Sequence, residues 1–262
     1  MNSELPSPQT RLAVLPPGAD GWTASPRPGL FNRPLYADPA QGRYFGWIRF
    51  DTLATTGMHQ HLGPASSYIV DGALTDYQGD VVAGQMGINL SPATHEAIAY
   101  RPTLFVARLE APVLYMEGAE GGARALHTGA RTGDVTNDRP EELPDLNITV
   151  ADLPMVPTSF PGVGRRLVHD YRTTGFNRRC VQIQMLPDTV LPNFQTADRL
   201  DLFVLGGSFG MNGDLIANGS LVAIEPGQSI DLATRYGALF FAWSDAPVVP
   251  RDRSSFRDPF GF

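Results

Sequence analysis

Residues 57–72 read Gly-Met-His-Gln-His-Leu-Gly-Pro-Ala-Ser-Ser-Tyr-Ile-Val-Asp-Gly, and short strand-like runs separated by Gly turns lead from there to His95. His59 and His61 are two residues apart, so on a β-strand both imidazoles leave the same face. In a meander or jelly roll, His95 can return beside this pair. The spacing predicts three imidazoles that converge inside a barrel as ligands of one metal ion.

The distribution of histidines supports this interpretation over a chance His-X-His pair. The chain has 5 histidines in 262 residues, and three of them lie between positions 59 and 95. Of the other two, His127 is interpreted as a surface residue and His169 as an ordinary strand histidine. Neither is predicted to bind metal.

The composition favours an all-β protein. The chain contains 27 Gly and 23 Pro, which suits many short strands joined by turns, and turn signals recur at roughly 8- to 12-residue spacing. A formal charge of −7 argues against nucleic acid or an anionic membrane surface as a partner. No apolar run approaches the roughly 18 residues of a membrane-spanning helix.

The first residues and the cysteine content both point to the cytoplasm. Met-Asn-Ser-Glu-Leu-Pro-Ser-Pro lacks the basic and apolar regions of a signal peptide. Cys180 is the single cysteine and has no partner for an intramolecular disulfide, as expected in a reducing compartment.

The pattern of the first half returns in the second half at an offset of 133–135 residues. Tyr68–Gly72 matches Leu202–Gly206, and Leu104–Ala107 matches Leu239–Ala242. This repetition predicts two tandem β-domains of one kind. The expected boundaries are an N-terminal arm (1–27), a metal-binding domain (28–116), a linker (117–149) and a second domain (150–262).

The second copy has none of the three imidazoles. The positions of His59 and His61 fall on Asn193 and Gln195, and that of His95 falls on Ser229 or Ile230. Asn and Gln are poor ligands for transition metals. We therefore expect the second domain to be degenerate, without metal ligands, and the three histidines to act as a unit.

His59-X-His61, the apolar strand to Gly72, and Pro92 shortly before His95 resemble the two cupin motifs, and the duplication resembles a bicupin. The resemblance implies two jelly-roll β-barrels with a metal inside the first. Cupins usually place a Glu four or five residues after the second His, where this chain has Ala65 and Ser66. Strand parity points Ser66 and Tyr68 toward the site. Both are candidates to touch substrate or a metal-bound water, or else simply fill the barrel.

The run from His59 to Pro64 without a following Glu resembles three-His cupins that cleave C–C bonds with dioxygen, such as acetylacetone dioxygenase and 2,4′-dihydroxyacetophenone dioxygenase. The stretch from Asp71 to His95 also resembles the cupin domain attached to zinc-binding anti-sigma factors. Three neutral ligands leave a divalent ion its full charge, which favours an anionic bidentate ligand such as an enolate. The resemblance implies one divalent ion per chain, with Fe(II) favoured over Zn, Ni or Mn.

The sequence therefore predicts a metal-dependent dioxygenase that acts on a small enolisable carbonyl compound, such as a β-diketone, with dioxygen as co-substrate. One alternative is a non-catalytic metal-binding cupin that binds a small molecule or acts as a sensor, with Zn or another divalent ion. Another is a structural bicupin whose metal only braces the barrel. No nucleic acid or membrane partner is expected, and a homodimer is compatible with the family resemblance.

Overall fold

The computed structural model describes residues 12–76, 78–91, 93–116, 147–170, 179–250 and 258–261. These residues form antiparallel strands and one 3-10 turn, Val150–Asp152, which confirms the all-β prediction. In the described part of the chain no helix is long and apolar enough to cross a bilayer. The strands, numbered in chain order, are β1 (Leu12–Leu15), β2 (Thr23–Ala24), β3 (Leu30–Asp38), β4 (Arg43–Phe50), β5 (His59–His61), β6 (Ala65–Asp71), β7 (Ala73–Asp76), β8 (Gly79–Val82), β9 (Gln85–Asn89), β10 (Thr94–His95), β11 (Thr103–Leu109), β12 (Val113–Tyr115), β13 (Asn147–Thr149), β14 (Val156–Pro157), β15 (Val163–Asp170), β16 (Arg179–Met185), β17 (Thr189–Thr196), β18 (Leu200–Met211), β19 (Asp214–Ala217), β20 (Leu221–Ile224), β21 (Ser229–Thr234), β22 (Ala238–Ser244) and β23 (Val248–Pro250).

The chain divides into two compact units, and the division differs from the expected domain boundaries. The first unit is Gly18–Pro154, and the second combines the chain up to Pro17 with the chain from Met155. The expected arm is split between them: β1 pairs with β20 in the second unit, and β2 pairs with β3 in the first. The end of the expected linker forms β13, which pairs with β9. The physical reason is that the unpaired backbone groups of a sheet edge accept a short strand from any part of the chain.

The first unit contains a seven-stranded sheet, a three-stranded sheet and a hairpin. The large sheet has the order β13-β9-β6-β11-β4-β3-β2, the small sheet has the order β10-β5-β12, and β7 pairs with β8. The large sheet and the β7–β8 hairpin contribute to an apolar core, whose largest buried members are Leu30, Phe50, Ile69, Leu74 and Phe105. This sheet supplies one wall of the site described below.

The second unit is one connected set of strands in which β18 is the longest, with 12 residues. The first part of β18 pairs with β20 and β22, and its last part pairs with β19 and β21. The interior is filled by aromatic and aliphatic side chains, among them Phe194, Phe209, Phe240 and Phe260, each at most 1% exposed.

The central strands of the two units pair in the same register. Phe105 lies opposite Ile48 and Ile69 in the first unit, and Phe240 lies opposite Ile183 and Val204 in the second. Each of these second-unit residues follows its counterpart by 135 positions. A register shift also interrupts both copies at the same point, just before the phenylalanine. The repetition seen in the sequence is thus also a repetition of strand pairing.

Candidate metal centre

The small sheet of the first unit brings the three predicted histidines together. His59 and His61 begin and end β5, with their side chains on one face and Gln60 between them. On one side of β5, His95 in β10 pairs directly with His59. A single middle strand therefore places two imidazoles, and its neighbour adds the third.

The Nε2 atoms of the three rings face one another. The Nε2 of His61 lies 3.2 Å from that of His59 and 3.1 Å from that of His95. All three residues are buried, with 5–7% of their surface exposed. One ligand atom from each residue lies within 4.8 Å of the others, and this trio is the only group of this kind among the described residues.

Hydrogen bonds on the outer side of two rings determine which nitrogen carries the proton. His59 Nδ1 lies 2.8 Å from the Gly57 carbonyl oxygen, and His95 Nδ1 lies 2.9 Å from Asp76 Oδ2. Both partner oxygens are acceptors, so each Nδ1 donates its N–H. In the neutral rings the Nε2 atoms of His59 and His95 therefore present lone pairs to the interior.

The rings of His59 and His61 resist protonation. Burial, followed by the charge of a protonated His95, lowers the pKa of His59 from 6.5 to about 3. Burial is also the main reason that the pKa of His61 lies well below its usual value. At neutral pH both imidazoles are thus uncharged.

These observations fit a bound cation. The Nε2 of His61 can donate its one N–H to only one of its two neighbours, so at least one buried Nε2 lone pair receives no hydrogen bond within the trio. A divalent ion with imidazole preference, such as Fe, Zn, Ni or Cu, would satisfy all three nitrogens at once.

A cavity of about 190 Å³ opens beside the three histidines. Its lining is mostly apolar, and Asp76 is the one carboxylate in it, while no Lys or Arg of the described chain contributes. The carboxylate of Asp76 accepts hydrogen bonds from His95 and from the backbone N–H of Gln78. The lining comprises His59, His61, His95, Asp76, Ser25, Leu30, Asn32, Ile48, Phe50, Thr56, Ala65, Ser67, Leu74, Val81, Gly87, Ile88, Asn89, Ala97, Phe105, Ala107, Leu109, Val113, Tyr115 and Asn147.

The structure does not bring Ser66 and Tyr68 to this cavity. On β6, Ala65 and Ser67 line the cavity. They pair with Leu109 and Ala107, which also line it. Ser66 and Tyr68 are buried on the same strand but lie outside the lining. The parity count from His61 fails because residues 62–64 form a bend between two strands, and alternation holds only within a continuous strand.

Two residues that the sequence analysis did not select belong to the site. Asp76 reaches His95 from the end of the β7–β8 hairpin, and Tyr115 lies opposite His59 on β12. Neither position carries a local signal in the sequence, because each is brought to the site by strand pairing. Of the other histidines, His169 lies in β15 of the second unit, and His127 is outside the described residues.

The register of the second unit corrects the expected counterparts of the histidines by one residue. In the first unit His61 pairs with Val113, and at the same place in the second unit Thr196 pairs with Val248. His59 pairs with His95, and the equivalent pair is Phe194 with Ile230. The counterparts of His59 and His61 are therefore Phe194 and Thr196, not Asn193 and Gln195. Of the two positions expected for His95, Ile230 is the counterpart. The counterparts thus lie at the same offset of 135 residues as the central strands, whereas counting along the sequence used 134 for His59 and His61.

Comparisons with known proteins agree with this geometry. Residues 11–112 match the family profile of the ChrR Cupin-like domain. No curated protein matches the sequence. Residues 11–112 are therefore similar to a ChrR-like cupin domain, and the match includes all three histidines.

Solved structures share the fold over most of the chain. A candidate dioxygenase from Nostoc punctiforme has a TM-score of 0.63 at 12% identity, covering 89% of this chain and 79% of that one. An oxalate decarboxylase from Lactobacillus farciminis has a TM-score of 0.59 at 11% identity, covering 87% and 84%. A variant of salicylate 1,2-dioxygenase from Pseudoaminobacter salicylatoxidans has a TM-score of 0.58 at 15% identity, covering 78% and 68%. At these identities the likeness concerns the fold.

Proposed function

We propose that His59, His61 and His95 bind one divalent metal ion and that the protein is a metal-dependent dioxygenase for a small enolisable carbonyl compound. The observation that carries the proposal is the set of three buried, inward-facing Nε2 atoms beside an apolar cavity. Fe(II) is the favoured ion because the reaction needs a metal that exchanges electrons with dioxygen. The dioxygenase and decarboxylase activities in the names of similar structures are compatible with such a centre.

The ion would supply an uncompensated charge of +2 that favours the enolate form of a bound substrate and offers open positions to it and to dioxygen. The protein's part is to hold the three nitrogens in place. The Gly57 carbonyl orients the His59 ring, and the Asp76 carboxylate orients the His95 ring. Because the site is buried, electrostatic attraction between an anion and the centre is stronger than in water.

The lining limits the size and polarity of the substrate. A cavity of about 190 Å³ is smaller than the roughly 300–1,000 Å³ pockets that hold drug-sized ligands. Side chains such as Phe50, Leu74 and Phe105 line it. A charged group that points away from the metal would lose its hydration there without gaining a partner. The lining thus favours a substrate whose oxygen atoms face the metal and whose remaining atoms are short and apolar, such as a β-diketone.

We also propose that the two units are copies of one cupin and that the second copy is a scaffold. The shared register of their central strands supports this. Phe194 and Ile230 offer no ligand atom at the positions of His59 and His95. Cys180 is buried and, as the single cysteine of the sequence, cannot form an intramolecular disulfide, which suits the cytoplasm as the compartment.

The experiment is dioxygen uptake by the Fe(II)-reconstituted protein with acetylacetone or malonate. The two compounds share the same pair of donor oxygens, but malonate has carboxylate oxygens where acetylacetone has methyl groups. We expect uptake in proportion to added acetylacetone, none with malonate, and none with the His95→Ala variant. Uptake with malonate alone would contradict the proposed substrate class.

The second candidate function is a metal-containing module that binds a small molecule without turnover. The match to the ChrR Cupin-like domain favours it, because that domain is not named for an enzyme. In this case acetylacetone would change the absorption spectrum of the metal-loaded protein, but no member of a diketone panel would cause dioxygen uptake.

A further inference from the structure

Arg27 lies in a tight turn at the rim of the cavity. Ser25 and Leu30 both line the cavity, and Arg27 lies between them in the chain. The Ser25 N–H donates to the Leu30 carbonyl at 2.8 Å, and the Arg27 N–H donates to Ser25 Oγ at 3.3 Å. The turn that bears Arg27 is therefore anchored at both ends to residues of the site.

The guanidinium of Arg27 stacks on an aromatic residue of the lining. Its central carbon lies 4.4 Å from the centroid of the Tyr115 ring. Tyr115 is 50% exposed, so it marks the place where the lining meets solvent. Its ring centroid also lies 5.8 Å from that of His59. The cation thus lies one ring away from a candidate metal ligand.

The backbone at Gly57 leaves room for this arrangement. Gly57 has a φ of 69°, and a side chain there would collide with the Arg27 guanidinium. The carbonyl of the same residue accepts the hydrogen bond from His59 Nδ1. One glycine therefore both orients a candidate metal ligand and makes space for the arginine.

Within the described ranges no carboxylate neutralises the positive charge of Arg27. Among the described residues no carboxylate forms an ion pair with its guanidinium, and Arg27 is half-buried. The one carboxylate of the lining, Asp76, is hydrogen-bonded to His95 and to the Gln78 N–H. An unpaired, partly desolvated cation attracts anions more strongly than one in bulk water.

We propose that Arg27, held on Tyr115, is a specificity-determining residue that selects anionic ligands for the three-histidine centre. The inference rests on the proposed function, since it requires a metal at that centre. The chain as a whole carries a formal charge of −7, which repels anions. A local cation beside the cavity offsets this repulsion. The contact with Tyr115, a lining residue, places this cation beside the cavity and not in its lining.

The test uses the Co(II)-loaded full-length protein and two small probes, azide and imidazole, at about pH 8.5, where imidazole is uncharged. Their affinities are measured from changes in the visible absorption of cobalt. We expect Arg27→Gln to weaken azide binding about tenfold and to flatten its dependence on salt. Imidazole binding should stay within twofold. Arg27→Lys, which keeps the charge but loses the planar fork, should restore part of the azide affinity.

The matched control is Arg235→Gln in the second unit. Arg235 also lies over a tyrosine, 5.5 Å from the ring centroid of Tyr236, but it is far along the chain from the centre and should leave both affinities unchanged. Metal content is measured for every variant.

Three results would overturn the inference: unchanged azide affinity, an equal loss for azide and imidazole, or loss of cobalt from Arg27→Gln. The last two would make Arg27 a structural support for the rim. If the unmodified protein binds no cobalt, the proposed function itself fails, and the inference fails with it.

Discussion

His95 is the one candidate metal ligand that does not lie on β5, and its hydrogen bond to Asp76 orients its ring. His59 relies on the carbonyl of Gly57, a rigid backbone group two residues away. His95 relies on a side chain 19 residues earlier in the chain. A carboxylate also increases the basicity of an imidazole that donates to it, which strengthens the bond from the opposite nitrogen to a metal.

Replacing Asp76 with Asn is therefore expected to weaken metal binding about 10- to 100-fold, as is typical when an outer-shell partner of a histidine ligand is lost. Competition with a chromophoric chelator measures the dissociation constant. The control is Asp80→Asn, in the same hairpin, where an exposed carboxylate accepts a hydrogen bond from Thr75 Oγ1. Equal affinities for the two variants would contradict a positioning role for Asp76.

At the scale of elements, the short segment 258–261 completes the interior of the second unit. Phe260 is fully buried and packs edge-on against Phe194 and Phe240. Asp258 accepts hydrogen bonds from the N–H groups of Phe260 and Gly261 and so forms the turn that carries the ring inward. Phe194 occupies the position equivalent to His59. Phe260 therefore packs in the region of the second unit that corresponds to the candidate metal centre of the first.

We expect Phe260→Ala to lower the free energy of unfolding by about 3–5 kcal/mol, because it leaves a cavity among residues that cannot fully collapse. Urea denaturation followed by circular dichroism measures this. Tyr236→Ala is the control: Tyr236 is 78% exposed, and its loss should change stability by at most about 0.5 kcal/mol. Metal content should be the same in both variants. If Phe260→Ala lowers the free energy of unfolding by less than about 1 kcal/mol, the ring is not an essential part of the core.

At the scale of the whole molecule, two units with matching strand registers have different interiors. The first has three imidazoles and a cavity, whereas the second has Phe194, Thr196 and Ile230 at the corresponding positions. These three side chains are almost fully buried, at 1% exposure each. Burying apolar side chains stabilises the second unit, whereas burying imidazoles is favourable only if their polar atoms find a partner.

The protein should accordingly bind one metal ion per chain and not two. Native mass spectrometry combined with elemental analysis measures the stoichiometry. His59→Ala and His95→Ala should each reduce it to near zero, since two imidazoles do not complete the ligand set. Thr196→Ala, at the position equivalent to His61, should leave it at one. Two ions per chain, or an ion that remains in both histidine variants, would contradict the proposed centre.

The local part of the fold and of the candidate site was determined by the sequence alone. Alternation along a strand places His59 and His61 on one face whatever the rest of the chain does. The Gly- and Pro-rich composition indicated short strands, and the repeat near 135 residues indicated two similar units, because both are properties of the order of residues. The lack of counterparts to His59, His61 and His95 in the second copy was also evident from the sequence.

Contacts between strands were decided only by the tertiary structure. Asp76 and Tyr115 reach the histidines through a hairpin and a cross-strand pair, and neither distance can be read from spacing. Ser67, not Ser66, lines the cavity because a bend interrupts the alternation on which counting depends. Thr196, not Gln195, is the counterpart of His61 because strand pairing sets the offset between the units at 135 residues, where the sequence matches allowed 133–135. Side-chain direction follows from the sequence within one unbroken strand, but across turns and bulges it is set by the packing of the whole unit.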